Sequence, residues 1–182
     1  IISRIRFWSL FINRRYTCLY RITCIVLVLL DLKSAFDTVD HAIMLEGLHS
    51  NYAISGLALQ WFRSYLADRH FSVCVRNETS DKCPLKYGVP QGSVLGPLLF
   101  TLYIKPLGDI IRRHNVKFHI YADDIQMYYS FDPKSVDSLH NAISVLEKCI
   151  SEVSQWMVMN KLQLNEGKTE ALLLVSPKLK HH

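Results

Sequence analysis

Cys24 to Leu30, CIVLVLL, is a seven-residue apolar run that stops at Asp31. Its continuity and β-branched content predict a strand buried on both faces, with a carboxylate at its end. Beyond it, Asp40 is placed to cap a short helix reaching about Ser50. Ile54, Leu57, Ala58, Trp61, Phe62 and Tyr65 then recur at helical spacing and predict a second helix with one apolar face. The stretch HFSVCVRNETSDKCPLKYGV reads as two short strands joined by a polar turn at Asn77 to Asp81. GVPQGSVLGPLLFTLYIKPL opens as a Gly/Pro loop and passes into an apolar helix ending near His114.

VKFHIYA and IQMYYSF flank Asp123-Asp124 as two halves of a hairpin, and Asp132-Pro133 reads as a helix cap and first-turn proline. Behind them Val136, Leu139, Ile143, Leu146, Ile150, Val153 and Met157 alternate steps of three and four. Such a stripe either zips to a partner helix or, more commonly at this length, packs on the chain's own sheet. NEGK is a turn and TEALLLV a last strand. The order β, α, α, β, β, α, β, β, α, β is that of an α+β domain, with helices layered on one face of a largely antiparallel sheet.

Composition sharpens this picture. The 182 residues are 49% hydrophobic and 20% charged, which excludes a disordered chain and suggests one globular domain. The net charge of +5 is concentrated at the start, where Arg4, Arg6, Arg14, Arg15 and Arg21 have no acid among them up to Leu30. With Phe7, Trp8, Phe11, Tyr16 and Tyr20 interleaved, this segment suits contact with a polyanion; a solvated edge is the alternative. The five cysteines are odd in number and show neither a C-x-x-C pair nor zinc-like spacing to histidine, so a reduced intracellular setting, in the nucleus, the cytoplasm or both, and no structural metal are expected. The run at Cys24 is too short to cross a bilayer, and no membrane partner is expected. The absence of an initiator Met and of a clear signal-peptide site suggests a fragment.

The adjacent aspartates raise the chemical question. In a continuous strand Asp123 and Asp124 would point to opposite faces, so both serve one site only if the chain turns there. Carboxylates this close repel unless a cation neutralises them, and hard oxygens suit Mg²⁺. An isolated Asp-Asp is also common in surface turns. Asp31, 92 residues upstream at a strand end, changes the balance. If the two strands are neighbours, three carboxylates meet at one sheet edge and can hold two divalent ions about 4 Å apart, the arrangement used for phosphoryl and nucleotidyl transfer.

LLDLKSAFDTVDH, GVPQGSVLGPLLFTLYI, YADD and NKLQLNEGKTEALLL stand in an order and spacing that resemble the palm motifs of reverse transcriptases, most closely those of non-LTR (LINE-type) retrotransposons. The resemblance runs from about Val26 to Val175. It implies a polymerase palm with a ferredoxin-like βαββαβ core, part of the fingers and no thumb, over residues 24–176, preceded by a divergent basic segment, 1–23, and followed by a tail, 177–182. It implies an RNA template, a DNA primer and dNTPs as partners, and two Mg²⁺ ions as cofactor, with Mn²⁺ able to substitute.

The same resemblance implies the roles of individual residues. Asp31 and Asp123 would bind both metals, with Asp124 a more peripheral carboxylate. Phe36 would be the steric gate that excludes a ribose 2′-hydroxyl; otherwise it is a core phenylalanine. Pro90, Gln91, Gly92 and Ser93 would lie under the templating base and incoming nucleotide. Lys168 would stand near the triphosphate, as proton donor to pyrophosphate or as counter-charge. Asn160 and Asn165 would shape its loop, and Tyr121 would pack beneath the hairpin near the primer end.

Two function classes follow from this reading. One is an RNA-directed DNA polymerase; the other is an inactive truncated remnant that at most binds nucleic acid. A maturase or telomere enzyme of the same fold is disfavoured by the wording of AFDTVDH and NKLQLNEGKTE.

Overall fold

The structure is a computed structural model that describes residues 5–7, 24–90, 92–133 and 135–174. Contacts divide the chain into two compact units, one of residues 1–33, 107–157 and 163–182 and the other of residues 34–106 and 158–162.

The first unit is built on a five-stranded sheet. Its strands are β1 (Ile5–Phe7), β2 (Cys24–Leu30), β7 (Lys117–Tyr121), β8 (Asp124–Phe131) and β9 (Glu170–Leu174), in the spatial order β1-β9-β2-β8-β7. β2 is central and antiparallel to both neighbours, β7 and β8 form a hairpin, and β1 pairs in parallel with β9. The β1 strand lies inside the segment that showed no strand pattern in sequence. β2 is not buried on both faces: Cys24, Val26, Val28 and Leu30 are buried while Ile25, Leu27 and Leu29 are half-buried. Helices cover one face of an antiparallel sheet, and an apolar run alone does not reveal that one-sided cover.

Two helices belong to this unit, α4 (Leu107–Arg113) and all but the last two residues of α5 (Val136–Met159). Of the predicted α5 stripe, Leu146, Ile150, Val153 and Met157 are buried, joined by Ala142 and Cys149, while Leu139 and Ile143 are half-buried, so the stripe is covered within the chain rather than left for a partner helix. The helix begins at Val136, later than an Asp132 cap implies.

The second unit is mainly helical. Asp40 caps α1 (His41–Tyr52) as expected, its Oδ1 accepting from the Ala42 and Ile43 amides at 2.9 and 3.1 Å. α1 packs against α2 (Gly56–Leu66) and α3 (Leu95–Ile104). The predicted apolar face of α2 is displaced: Leu59 and Phe62 are half-buried and Leu66 is buried, whereas Leu57 and Trp61 are exposed. The apolar positions span a wide arc, of which only one side is covered. The single helix expected up to His114 is two helices, because Pro106 has no amide to continue the ladder. Between α2 and α3, β3 (His70–Phe71) pairs with β6 (Cys83–Pro84), and β4 (Cys74–Val75) with β5 (Glu78–Thr79), so the tip falls at Arg76-Asn77 rather than at 77–81.

Tyr103 on α3 donates its hydroxyl to the Asn160 carbonyl at 2.7 Å. Burial pushes this phenol up to about 12 from 10.0; a backbone hydrogen bond from Asp40 lowers it, and the Asp40 charge raises it.

Leu146→Ala in the α5 stripe is expected to cost about 2–5 kcal/mol in urea denaturation, and Val158→Ala, at an exposed position, less than about 0.5 kcal/mol. The stability tied to the Tyr103 phenol is intact below pH 10 and is lost as pH rises through 12, because the unfolded phenol ionises first. The stability advantage of wild type over Tyr103→Phe should therefore shrink by on the order of 2 kcal/mol across that window in denaturant titrations.

Candidate active site

The hairpin tip resolves the question of the paired aspartates. Tyr121 pairs with Asp124, leaving Ala122 and Asp123 as a two-residue loop. Such loops require positive φ at the first or at both central positions. Ala122 takes it, with φ 51°, and Asp123 does not. An alanine held there costs about 1 kcal/mol relative to glycine. The turn releases Asp123 from strand alternation, so the two carboxylates need not point apart.

Asp31 is positioned by register. The last aligned pair of β2 and β8 is Leu30 with Ile125, both buried. One step further along the antiparallel ladder places Asp31 across from Asp124, on the face opposite the buried one. In agreement, Asp124 is exposed and Asp31 and Asp123 are half-buried.

A second brace holds Asp31 from the β9 side. Its carbonyl accepts from the Asn165 amide at 2.9 Å, and its Oδ2 accepts from Asn165 Nδ2 at 2.9 Å. Lys168 Nζ lies 3.8 Å from the same Oδ2. The sheet ladder continues past the strand ends through a Leu32–Leu164 bridge and a hydrogen bond from the Lys33 amide to the Gln163 carbonyl. Within Asn165 to Thr169, the Lys168 and Thr169 amides both donate to the Asn165 carbonyl, which closes the turn. Sequence reading gave Asn165 only a loop-shaping role. Its position just before a strand that neighbours β2 was the signal, and it becomes legible once strand order is known.

Asp31, Asp123 and Asp124 supply only carboxylate oxygens, without sulfur or imidazole. That donor set fits a hard cation such as Mg²⁺, which binds one or two carboxylates and takes waters and phosphates as its other ligands. Among the described residues no three His, Cys, Asp or Glu side chains, these aspartates included, are gathered closely enough to hold a metal ion. Tyr121 does not pack beneath the hairpin; it is 75% exposed, because the β7 positions opposite Asp124, Gln126 and Tyr128 all face outward.

The remaining sequence-nominated residues lie in the helical unit. Phe36 sits in a single 3-10 turn, Ala35–Asp37, half-buried, with its ring 4.7 Å from that of the fully buried Phe100. Its carbonyl accepts from the Val89 amide at 2.8 Å, which ties this turn to the start of the Pro90 loop. Pro90 is half-buried and Gly92 exposed, with φ 77° in open space, so glycine is needed there for conformation and not for room. Gln91 lies outside the described residues.

Residues 9–180 match the family described as Reverse transcriptase (RNA-dependent DNA polymerase). The chain is 31% identical over 147 residues to a "Probable RNA-directed DNA polymerase from transposon BS" of Drosophila melanogaster, covering 78% of this chain and 16% of that protein. It is 30% identical over 144 residues to the "RNA-directed DNA polymerase from mobile element jockey" of Drosophila funebris, covering 76% of this chain and 15% of that one. The chain thus spans about one sixth of the length of these relatives. Among solved structures, it superposes with a TM-score of 0.65 and 13% identity on a telomerase from Candida tropicalis in complex with a fragment of telomeric RNA, over 86% of this chain and 27% of that one. An apo form of telomerase from the same organism gives 0.62, over 84% and 31%. At that identity the likeness establishes a shared α+β fold.

The two contacts on Asp31 should separate by mutation. Asn165→Ala removes a partly buried hydrogen bond and is expected to cost about 1–2 kcal/mol in urea unfolding. Lys168→Met removes an ion pair whose lysine is 71% exposed, and is expected to change stability by less than about 0.5 kcal/mol.

Proposed function

Because the chain belongs to the reverse transcriptase (RNA-dependent DNA polymerase) family, we propose that it carries the palm of an RNA-directed DNA polymerase of the non-LTR, LINE-type group. Its reaction would transfer a nucleotide from a dNTP to a primer 3′-hydroxyl on an RNA template. The supporting observation is the β2–β8 register, which sets Asp31 across from Asp124 and next to the Asp123 turn. We read the order β9-β2-β8-β7, with helical segments between β2 and β7 and between β8 and β9, as the ferredoxin-like βαββαβ core of that palm.

In this reading Asp31, Asp123 and Asp124 would hold two divalent cations, Mg²⁺ with Mn²⁺ able to substitute, which would lower the pKa of the attacking hydroxyl and stabilise the leaving oxygen. The chain's own groups do the positioning. Lys168, now beside Asp31 Oδ2, offers its ammonium to the triphosphate, neutralising phosphate charge or giving a proton to the departing pyrophosphate. Asn165 keeps one Asp31 oxygen engaged and so restrains the carboxylate's rotation while the other stays available. Phe36, backed by Phe100 and half-buried, presents a ring under the sugar that leaves no space for a 2′-hydroxyl. Pro90, Gly92 and Ser93 would lie under the templating base, and Tyr121 offers an exposed ring on the outward face of the hairpin near the primer end. The expected partners are therefore RNA template, DNA primer and dNTPs. No helix among the described residues is long and apolar enough to cross a membrane.

Primer extension on an RNA template with Mg²⁺ tests the proposal. Asp123→Asn should lower incorporation by roughly 10²–10³-fold or more, since a metal-bound carboxylate is worth several kcal/mol of barrier. Equal incorporation by the two proteins would reject the assignment, and salt-dependent RNA binding without incorporation would point to a non-catalytic remnant. Phe36→Val should raise the use of ribonucleotides relative to deoxyribonucleotides by about tenfold or more, read from competing substrates.

A further inference from the structure

We propose that His41 and Tyr65 are positioning residues for the Pro90 to Ser93 loop, holding it from two helices at its two ends and so setting how well it receives a nucleotide. The inference rests on the nucleotide-contacting reading of that loop given above.

At the leading end the chain is strapped to residues 36–41. Tyr87 bridges to Asp40, the Gly88 amide donates to the Val39 carbonyl at 2.8 Å, and the Val89 amide donates to Phe36. Gly88 has φ 89°, and a Cβ there would come within 3.0 Å of the Asp37 and Phe36 backbone, so the two segments touch without room for a side chain. The Gly88 carbonyl accepts from His41 Nε2–H at 2.7 Å. That bond fixes the neutral ring as the Nε2–H tautomer and completes the hydrogen bonding of the Gly88 peptide groups. His41 is the first residue of α1, directly after the Asp40 cap, so its backbone is held before its ring reaches the loop.

At the trailing end Ser93 is saturated. Its Oγ–H donates to the Pro90 carbonyl at 2.7 Å, and its oxygen accepts from the Gly96 amide at 3.0 Å and from the Tyr65 hydroxyl at 3.1 Å. A serine hydroxyl has one proton and two acceptor sites, so the Tyr65 donor leaves the Ser93 proton only the Pro90 carbonyl. Removing it frees the hydroxyl to turn and loosens the loop closure. Tyr65 is itself fixed: its ring stacks on Trp61 at 5.6 Å, and the Arg69 guanidinium lies 4.4 Å from its centroid while Nε–H donates to the Tyr65 carbonyl. Neither His41 nor Tyr65 is fully buried, and neither is needed to fill the core.

The test uses the full chain with four variants. Tyr65→Phe keeps the ring and removes one donor; His41→Ala removes the imidazole; His41→Gln restores an N–H at similar reach. Ser50→Ala deletes a hydrogen bond on the outer side of α1, to Glu46, and serves as control. Amide hydrogen exchange over residues 88–96 should accelerate about 3–10-fold in Tyr65→Phe and His41→Ala, the effect of losing one hydrogen bond, and return toward wild type in His41→Gln. In primer extension the KM for dNTP should rise by a similar factor, with kcat within about twofold. Exchange indistinguishable from Ser50→Ala overturns the proposal whether or not the chain polymerises. Faster exchange with unchanged KM overturns its nucleotide half. Absence of incorporation by wild type sinks the polymerase reading, while the exchange result still decides whether the two side chains hold the loop.

Discussion

The antiparallel register of β2 against β8 is the constraint from which the rest of the candidate site follows. Seven aligned pairs, from Cys24 with Phe131 to Leu30 with Ile125, lock which residue of one strand faces which of the other. Side chains alternate with a period of two, so a one-residue slip of β2 would turn its buried Val26, Val28 and Leu30 outward, away from the face on which Ile125 and Met127 lie. The cost of exposing that set fixes the register, and the register in turn fixes Asp31 on the open face across from Asp124. Core packing thus positions the carboxylates without touching them.

Strand direction completes the gathering. β2 runs antiparallel to both β8 and β9, so its end lies at the edge where those two strands begin. Three segments remote in sequence arrive there together: the residue after β2, the turn before β8, and the loop before β9. They bring Asp31, Asp123 with Asp124, and Asn165 with Lys168. A sheet edge also leaves backbone groups in need of partners, and the Asp31 to Asn165 and Lys33 to Gln163 hydrogen bonds meet that need. The polar brace around the first aspartate is therefore partly a consequence of ending a ladder.

The helical unit solves a different problem, that of holding an irregular loop. The Pro90 region has no ladder of its own; it is held by amides donated to the 36–39 backbone, by the ring of His41, and by a serine hydroxyl closing on the Pro90 carbonyl. These are local, directional contacts, and glycines at 88 and 92 supply the backbone shape.

Much of this was legible in the chain itself. The β2 run, the hairpin around Asp123 and the Asp40 cap are each set by local periodicity or by a side chain bonding to nearby backbone, and each element stands where the pattern placed it; the α5 stripe does so in its second half, from Leu146 to Met157. The α2 face and the break at Pro106 were read less well. A broad apolar arc does not say which of its sides a neighbour will cover, and an apolar run on both sides of a proline masks the missing amide. β1 gave no periodic signal at all, since three residues pairing on a sheet edge take their identity from the partner strand β9. By itself, then, the sequence determined most of the strand and helix segments and singled out the acidic residues at their ends, because those follow from side-chain type and spacing. Only the tertiary structure decided that Asn165 and Lys168 reach Asp31, that Tyr121 faces outward, and that His41 and Tyr65 hydrogen-bond to Gly88 and Ser93, because strand order and the close approach of distant segments arise from burying the whole core at once.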